Sequence, residues 1–205
     1  MDTLTRYPPH QLIEDFLPAA IHAELLAYTL ANAAKFQPTT VTDQGEANYN
    51  PGTRQSWACD GGLGPLKAPF KAAVEAQREA MLAALGIPSF DLARVELELV
   101  AHRDGSFFRP HIDTLTSLNR SDQQTDRMLT IVYYFCAEPK RFTGGELALF
   151  PFGAGKPKLL EPADNRLVAF PSFAMHEVNP VSCPPDDDFA DARFAVNCWL
   201  HRKRG

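Results

Sequence analysis

From Phe90 onward the chain keeps a hydrophobic period of two. Val95, Leu97, Leu99 and Ala101 alternate with Glu96, Glu98 and Val100, and alternate residues of a strand share one face. Runs of the same kind follow at Met128 to Cys136, Glu146 to Phe150, Lys158 to Glu161, Arg166 to Phe170, His176 to Asn179 and Arg193 to Leu200, parted by Gly, Pro and Asp. Short strands with turn residues between them predict an antiparallel sandwich or barrel. No helix separates the late runs, which argues against a doubly wound parallel sheet.

Before Phe90 the period is that of a helix. Ile21, Leu25, Leu26 and Leu30 follow Pro18, and Leu66, Phe70, Val74, Met81, Leu82 and Leu85 precede Gly86, with Pro88 beyond. Both stripes predict core-facing helices. The polar stretch from Lys35 to Asp60, with its Pro51-Gly52 turn, predicts two or three short strands. The expected fold class is α+β. Residues 1–90 form a helical N-terminal part and 91–205 a β core, in one domain, as 205 residues suggest.

Composition narrows the function classes. A net charge of -5 gives no basic field to hold nucleic acid or an anionic membrane. No apolar run approaches the ~20 residues that span a bilayer, and Met1 to His10 lack an apolar signal-peptide core. Cys59, Cys136, Cys183 and Cys198 form no CxxC pair, which leaves a zinc knuckle or thioredoxin motif unsupported. The expected setting is a reduced, cytoplasmic one. No GxGxxG or GxxxxGK[ST] pattern occurs, so the usual dinucleotide and P-loop readings fall away.

The chemistry-bearing residues are His111, Asp113, His176 and Arg193. On a strand, the HxD of His111 and Asp113 would aim an imidazole and a carboxylate at one point. With His176 they make two histidines and one carboxylate, the facial arrangement of non-haem Fe(II) oxygenases. Alternation puts Arg193, Ala195, Asn197 and Trp199 on one face and Phe194, Val196 and Cys198 on the other. An arginine aimed into a β core needs an anion, and its planar fork suits a carboxylate.

Gly105 to Asp113, Arg127 to Tyr134, Gly144 to Leu147, Asn165 to Phe170, His176 to Val178 and Arg193 to Trp199 together resemble, in order, the Fe(II)/2-oxoglutarate-dependent dioxygenases, within them the prolyl 4-hydroxylase-like branch. Asp15 to Pro18 and Thr53 to Ser56 are similar to that branch more loosely. The resemblance implies a double-stranded β-helix, or jelly roll, buttressed by N-terminal helices. It implies Fe(II) on His111, Asp113 and His176, with 2-oxoglutarate and O2 as co-substrates and ascorbate as a further candidate. Arg193 would clamp the distal carboxylate, with Tyr134 beside it, and Asn197 is assigned to the same pocket. His102 stands where the family usually has tyrosine, nine residues before His111. A neutral imidazole there could still hydrogen-bond the co-substrate.

The implied reaction is hydroxylation of an unactivated C–H, coupled to decarboxylation of 2-oxoglutarate to succinate. A prolyl residue in a protein or peptide is the first expectation for the substrate. A free amino acid or natural-product intermediate is the alternative. A non-catalytic metal-binding jelly roll and a zinc hydrolase are readings of other classes, and the zinc hydrolase leaves Arg193 unexplained. Substrate entry is expected past Arg54, Trp57, the Thr114 to Asp126 segment, as a lid or a short surface helix, and the Asp186, Asp187 and Asp188 loop, whose charge could steer a basic partner.

Overall fold

The computed structural model describes residues 6–43, 46–114 and 124–204. In chain order the elements are β1 (Gln11–Ile13), α1 (Ala19–Ala31), β2 (Phe36–Pro38), β3 (Val41–Asp43), β4 (Glu46–Asn48), β5 (Arg54–Gln55), β6 (Trp57–Cys59), α2 (Lys67–Ala84), β7 (Leu92–His102), β8 (Phe107–His111), β9 (Thr125–Phe135), β10 (Thr143–Gly144), β11 (Leu147–Leu149), β12 (Lys158–Leu160), β13 (Arg166–Pro171), β14 (His176–Val178), β15 (Val181–Ser182) and β16 (Arg193–Lys203).

Two antiparallel sheets face each other. The major one runs β1-β13-β9-β16-β7-β6-β2 and the minor one β12-β11-β14-β8-β5. This is the jelly roll, with helices on the outer face of the major sheet. The stretch between the helices holds more strand than the two or three runs expected. The first ninety residues also extend both sheets, through β1 on β13, β6 on β7 and β5 on β8. These strands are two or three residues long and partly polar, too short to show a period. They are held by the longer strands they join.

The helices form where the stripes place them. α2 stops because Gly86 takes a positive φ of 65°. The Ile87 N–H reaches Leu82 O at 2.9 Å and the Gly86 N–H reaches Ala83 O at 3.2 Å, closing the last turn. Phe70, Val74, Met81 and Leu82 of α2 pack with Ile131, Tyr133, Phe194, Val196 and Cys198 of the major sheet. Its other face, with Val100, Val132, Tyr134, Val168 and Ala195, packs against Leu147 and Leu149 of the minor sheet. Adjacent Tyr133 and Tyr134 are therefore both buried, on opposite sides. The Tyr133 hydroxyl donates to Asn165 Oδ1 at 2.9 Å, which satisfies a polar group inside the helix-side core. No helix among the described residues is long and apolar enough to cross a membrane.

Where β7, β9 and β16 run side by side, an ionic cluster ties them together. Glu96 accepts from Arg127 Nη2 at 2.8 Å and stands 2.8 Å from Nε2 of the fully buried His201. Arg127 also lies over the Trp199 ring, 4.0 Å from its centroid. Burial pushes the Glu96 carboxyl up, but the hydrogen bonds from His201 and Arg127 and the Arg127 and Arg94 charges draw it down to about 2. A folded-state pKa below the ordinary glutamate value stabilises the fold above that ordinary value. The contribution is lost as pH falls towards 2. Urea denaturation across this range should show stability falling from about pH 5 downward. Glu96→Gln should be less stable at neutral pH by about 1–3 kcal/mol and should lose less on acidification.

Candidate active site

Strand register builds a cavity between the sheets. Arg193, Ala195, Asn197 and Trp199 of β16 are paired on β7 with His102, Val100, Glu98 and Glu96. On β9, Tyr134, Val132 and Thr130 stand opposite Ala195, Asn197 and Trp199. Phe108, His111, Leu147, His176 and Val178 close the cavity from the minor-sheet side, and it measures about 470 Å³ with its open mouth included.

At one level of the cavity the predicted triad is assembled. His111 ends β8 and His176 begins β14, and the two are cross-strand partners. Asp113 arrives differently from the strand alternation expected of HxD. The strand stops at His111, and Asp113 sits in a bend where its N–H donates to Ser172 O at 2.9 Å. Thr130 Oγ1 then donates to Asp113 Oδ2 at 2.8 Å. His111 Nε2 lies 3.7 Å from Asp113 Oδ1, and His176 Nε2 lies 3.6 Å from Oδ2. All three candidate ligand groups fall within 4.8 Å of one another.

The tautomers suit a metal. His111 Nδ1 is 2.8 Å from Arg109 O and His176 Nδ1 is 2.9 Å from Ala174 O. A carbonyl can only accept, so each Nδ1 carries a proton, and in the neutral ring the Nε2 lone pair is the one free for an ion. Burial, reinforced by His176, holds the His111 pKa down to about 3 despite Asp113, so the ring is neutral. Burial pushes the Asp113 carboxyl up, but His176, His111, the Trp199 indole and Arg127 together bring it below the ordinary aspartate range. Two imidazole nitrogens and one carboxylate, with an open side, form a donor set that fits Fe(II).

The cavity floor is cationic. Arg193 is 1% exposed and has no carboxylate within ion-pairing distance among the described residues. Its Nη1 donates to His102 Nδ1 at 2.9 Å, and its Cζ lies 4.7 Å from the Tyr134 ring centroid. Gly145 makes room for it, because a Cβ there would lie 2.7 Å from Arg193 Cδ. Arg193 Nε and the Tyr134 hydroxyl are buried with no hydrogen-bond partner. Since His102 accepts at Nδ1, its proton sits on Nε2. Burial, then Arg193 and Arg54, hold its pKa well below the usual range, so it is neutral. A buried cation with unpaired donors around it calls for an anion with several lone pairs, and a carboxylate supplies them.

The structure sorts the remaining expected site residues. Arg54 lines the cavity. Asn197 lines it too, but its amide donates to Glu98 Oε2 at 3.0 Å and not towards Arg193. Trp57 is packed against the helix-side core. The three aspartates brace the loop that enters β16. Asp186 accepts from Arg141 at 2.8 Å, Asp187 is 3.8 Å from Arg103, and Asp188 caps the short turn Phe189–Asp191. Neither Trp57 nor these aspartates line the cavity. Of the Thr114 to Asp126 segment, residues 115–123 lie outside the described residues.

Sequence reasoning did not single out Glu98, Phe108, Thr130 or Trp199. Phe108 stacks on His111 with centroids 3.6 Å apart. The Trp199 indole N–H is buried beside Asp113 without completing a hydrogen bond. The signal was present in part, because β16 alternation already put Trp199 on the face of Arg193.

A jelly roll holding an open two-histidine, one-carboxylate centre above a buried arginine defines a class, the mononuclear iron oxygenases that take an organic acid as co-substrate. The chain belongs to the 2OG-Fe(II) oxygenase superfamily, whose profile matches residues 97–201. It is 36% identical over 146 residues to the uncharacterized PKHD-type hydroxylase sll0191 of Synechocystis, covering 67% of this chain and 46% of that protein. The chain thus spans about half the length of that relative. Among solved structures, it is similar to a Pseudomonas putida prolyl-4-hydroxylase, with 25% identity, a TM-score of 0.67 and coverage of 96% and 94% of the two chains. The fold is shared with a Trichoplax adhaerens prolyl hydroxylase in complex with a hypoxia inducible factor peptide fragment, with 19% identity, a TM-score of 0.69 and coverage of 94% and 83%.

His111→Ala, Asp113→Ala and His176→Ala should each weaken Fe(II) binding by more than roughly a hundredfold, since outer-shell changes alone cost ~10–100-fold. Anaerobic titration calorimetry measures this, with circular dichroism to check the fold. Near-wild-type binding by His176→Ala would remove it from the centre.

Proposed function

We propose that the protein is a 2-oxoglutarate-dependent oxygenase that hydroxylates an unactivated C–H of a prolyl residue in a protein or peptide. The observation that carries the co-substrate assignment is the buried, unpaired Arg193 beneath the triad. In this reading His111, Asp113 and His176 hold Fe(II), which with 2-oxoglutarate supplies the oxidising chemistry. Arg193 would donate to the distal carboxylate, with the Tyr134 hydroxyl and His102 Nε2–H as further neutral donors. Thr130 keeps the Asp113 carboxylate oriented. Val132, Leu147 and Val178 line the cavity with apolar surface that excludes water. The prolyl assignment is supported by the similarity to the Pseudomonas putida prolyl-4-hydroxylase.

The test is Fe(II)-dependent conversion of 2-oxoglutarate to succinate by the purified protein, followed by mass spectrometry of prolyl peptides for one added oxygen. Absence of any Fe(II)-dependent succinate would end the oxygenase reading. Arg193→Ala should raise the apparent KM for 2-oxoglutarate at least roughly tenfold, because losing a charge-assisted pair costs ~1.5–3 kcal/mol. Fe(II) binding should persist. Arg193→Lys should recover part of the loss, keeping the charge without the fork. An unchanged KM in Arg193→Ala would assign the clamp to another cation.

A further inference from the structure

The cavity wall above Arg193 holds a second guanidinium in a different electrostatic setting. Arg54 is 8% exposed. Its Nε donates to Ser56 Oγ at 2.9 Å and its Nη2 donates to Glu98 Oε2 at 2.9 Å. Ser56 Oγ is in turn 2.9 Å from Thr39 Oγ1, and the guanidinium lies 5.0 Å from the Phe108 ring centroid. The group is therefore fixed on two edges and one face. Nη1 has no partner among the described residues, and the residue lines the cavity.

Asn197 meets the same carboxylate oxygen, with Nδ2 at 3.0 Å from Glu98 Oε2. A carboxylate only accepts, so this bond sets the amide orientation and leaves Oδ1 as the acceptor end. Asn197 is also the one partly exposed residue between Arg193 and His201 on a strand otherwise buried there. On a central strand of the major sheet, that exposure opens into the cavity. A fixed donor and a fixed acceptor thus flank Glu98. Glu98 pairs directly with Arg54, whereas among the described residues no carboxylate pairs with Arg193, on which Glu146 acts only at longer range.

We propose that Arg54 and Asn197 are a specificity-determining pair that reads an uncharged amide of the substrate, a carbonyl acceptor and an N–H donor next to the hydroxylated residue, and that Glu98 sets this preference against carboxylates. This rests on the hydroxylase reading above and deepens it. A guanidinium already neutralised by a carboxylate gains little from a second anion, but still donates to a carbonyl dipole. A residue inside a peptide offers such a neutral acceptor and donor. A free amino acid instead brings a carboxylate beside Glu98 and leaves the wall groups poorly matched, the kind of mismatch that polar sites reject strongly.

The experiment uses protein loaded with Fe(II) and 2-oxoglutarate without oxygen, so that Arg193 is occupied and chemistry cannot start. The probes are a short prolyl peptide capped as N-acetyl and C-amide, N-acetylproline with its free carboxylate, and L-proline. Affinities are read by calorimetry. Wild type should bind the capped peptide at least roughly tenfold more tightly than either carboxylate probe, a difference of about 1.4 kcal/mol. Glu98→Gln leaves Arg54 without its counter-charge and should move the ratio towards N-acetylproline by roughly tenfold. Arg54→Gln and Asn197→Asp should weaken the capped peptide while 2-oxoglutarate binding is retained, and circular dichroism checks each fold. No binding of the capped peptide, equal binding of the three probes by wild type, or an unmoved ratio in Glu98→Gln overturns the inference. Wild-type succinate formation separates the two levels. If it is present and the ratio does not move, only this inference fails. If it is absent, the hydroxylase reading fails and takes the inference with it.

Discussion

A guanidinium does not give up its proton in a protein, so burying Arg193 fixes a positive charge between the two sheets. Its surroundings are shaped to tolerate that charge without neutralising it. Gly145 clears the space beside its stem, Tyr134 offers a ring face, and His102 offers one neutral acceptor. Each is uncharged, so the electrostatic demand of the floor is passed to whatever enters. The rest of the cavity is positioned from this point, because the same strand carries Asn197 and Trp199 at successive steps above it.

The metal centre obeys a related rule. Its ligands are prepared by backbone carbonyls and a hydroxyl, not by further charges. Arg109 O and Ala174 O choose the imidazole tautomers, and Thr130 holds the carboxylate. Each carbonyl belongs to the residue two before its histidine, so the orientation is local to the turn or strand end that carries the ligand. Preorganisation of this kind needs little rearrangement when an ion arrives.

Much of this was legible in the chain. The period-two runs marked the long strands because those strands are flanked by apolar layers, and the helical stripes marked α1 and α2. The triad and Arg193 stood out by residue type and by the order of the motifs around them. What escaped the sequence depended on partners distant in the chain. The strands before α2 are too short to carry a period; β1, β5 and β6 exist through pairing with β13, β8 and β7, β2 pairs with β6, and β3 and β4 pair with each other. Asp113 is placed by the Ser172 carbonyl, which no local spacing reveals. Glu98 read as the polar half of an alternation, yet it points inward, where Arg54 and Asn197 meet it. Trp57 and the aspartate loop were expected at the mouth from the early segment's position and the loop's length and charge, whereas the contacts they make depend on distant partners. The register turns Trp57 to the helices, and Arg141, Arg103 and a turn cap occupy the aspartates.

The seven residues from Arg193 to Trp199 carry two kinds of information in alternate positions. Phe194, Val196 and Cys198 pack with the helices, while Arg193, Asn197 and Trp199 face the cavity. A shift of one residue in pairing would exchange the two sets, so the helix-side packing also guards the chemistry against slippage. The converse holds for change. Substitutions at the cavity-facing positions alter what the wall recognises while leaving the helix-side packing in place, so ligand preference in this scaffold can diversify largely independently of folding.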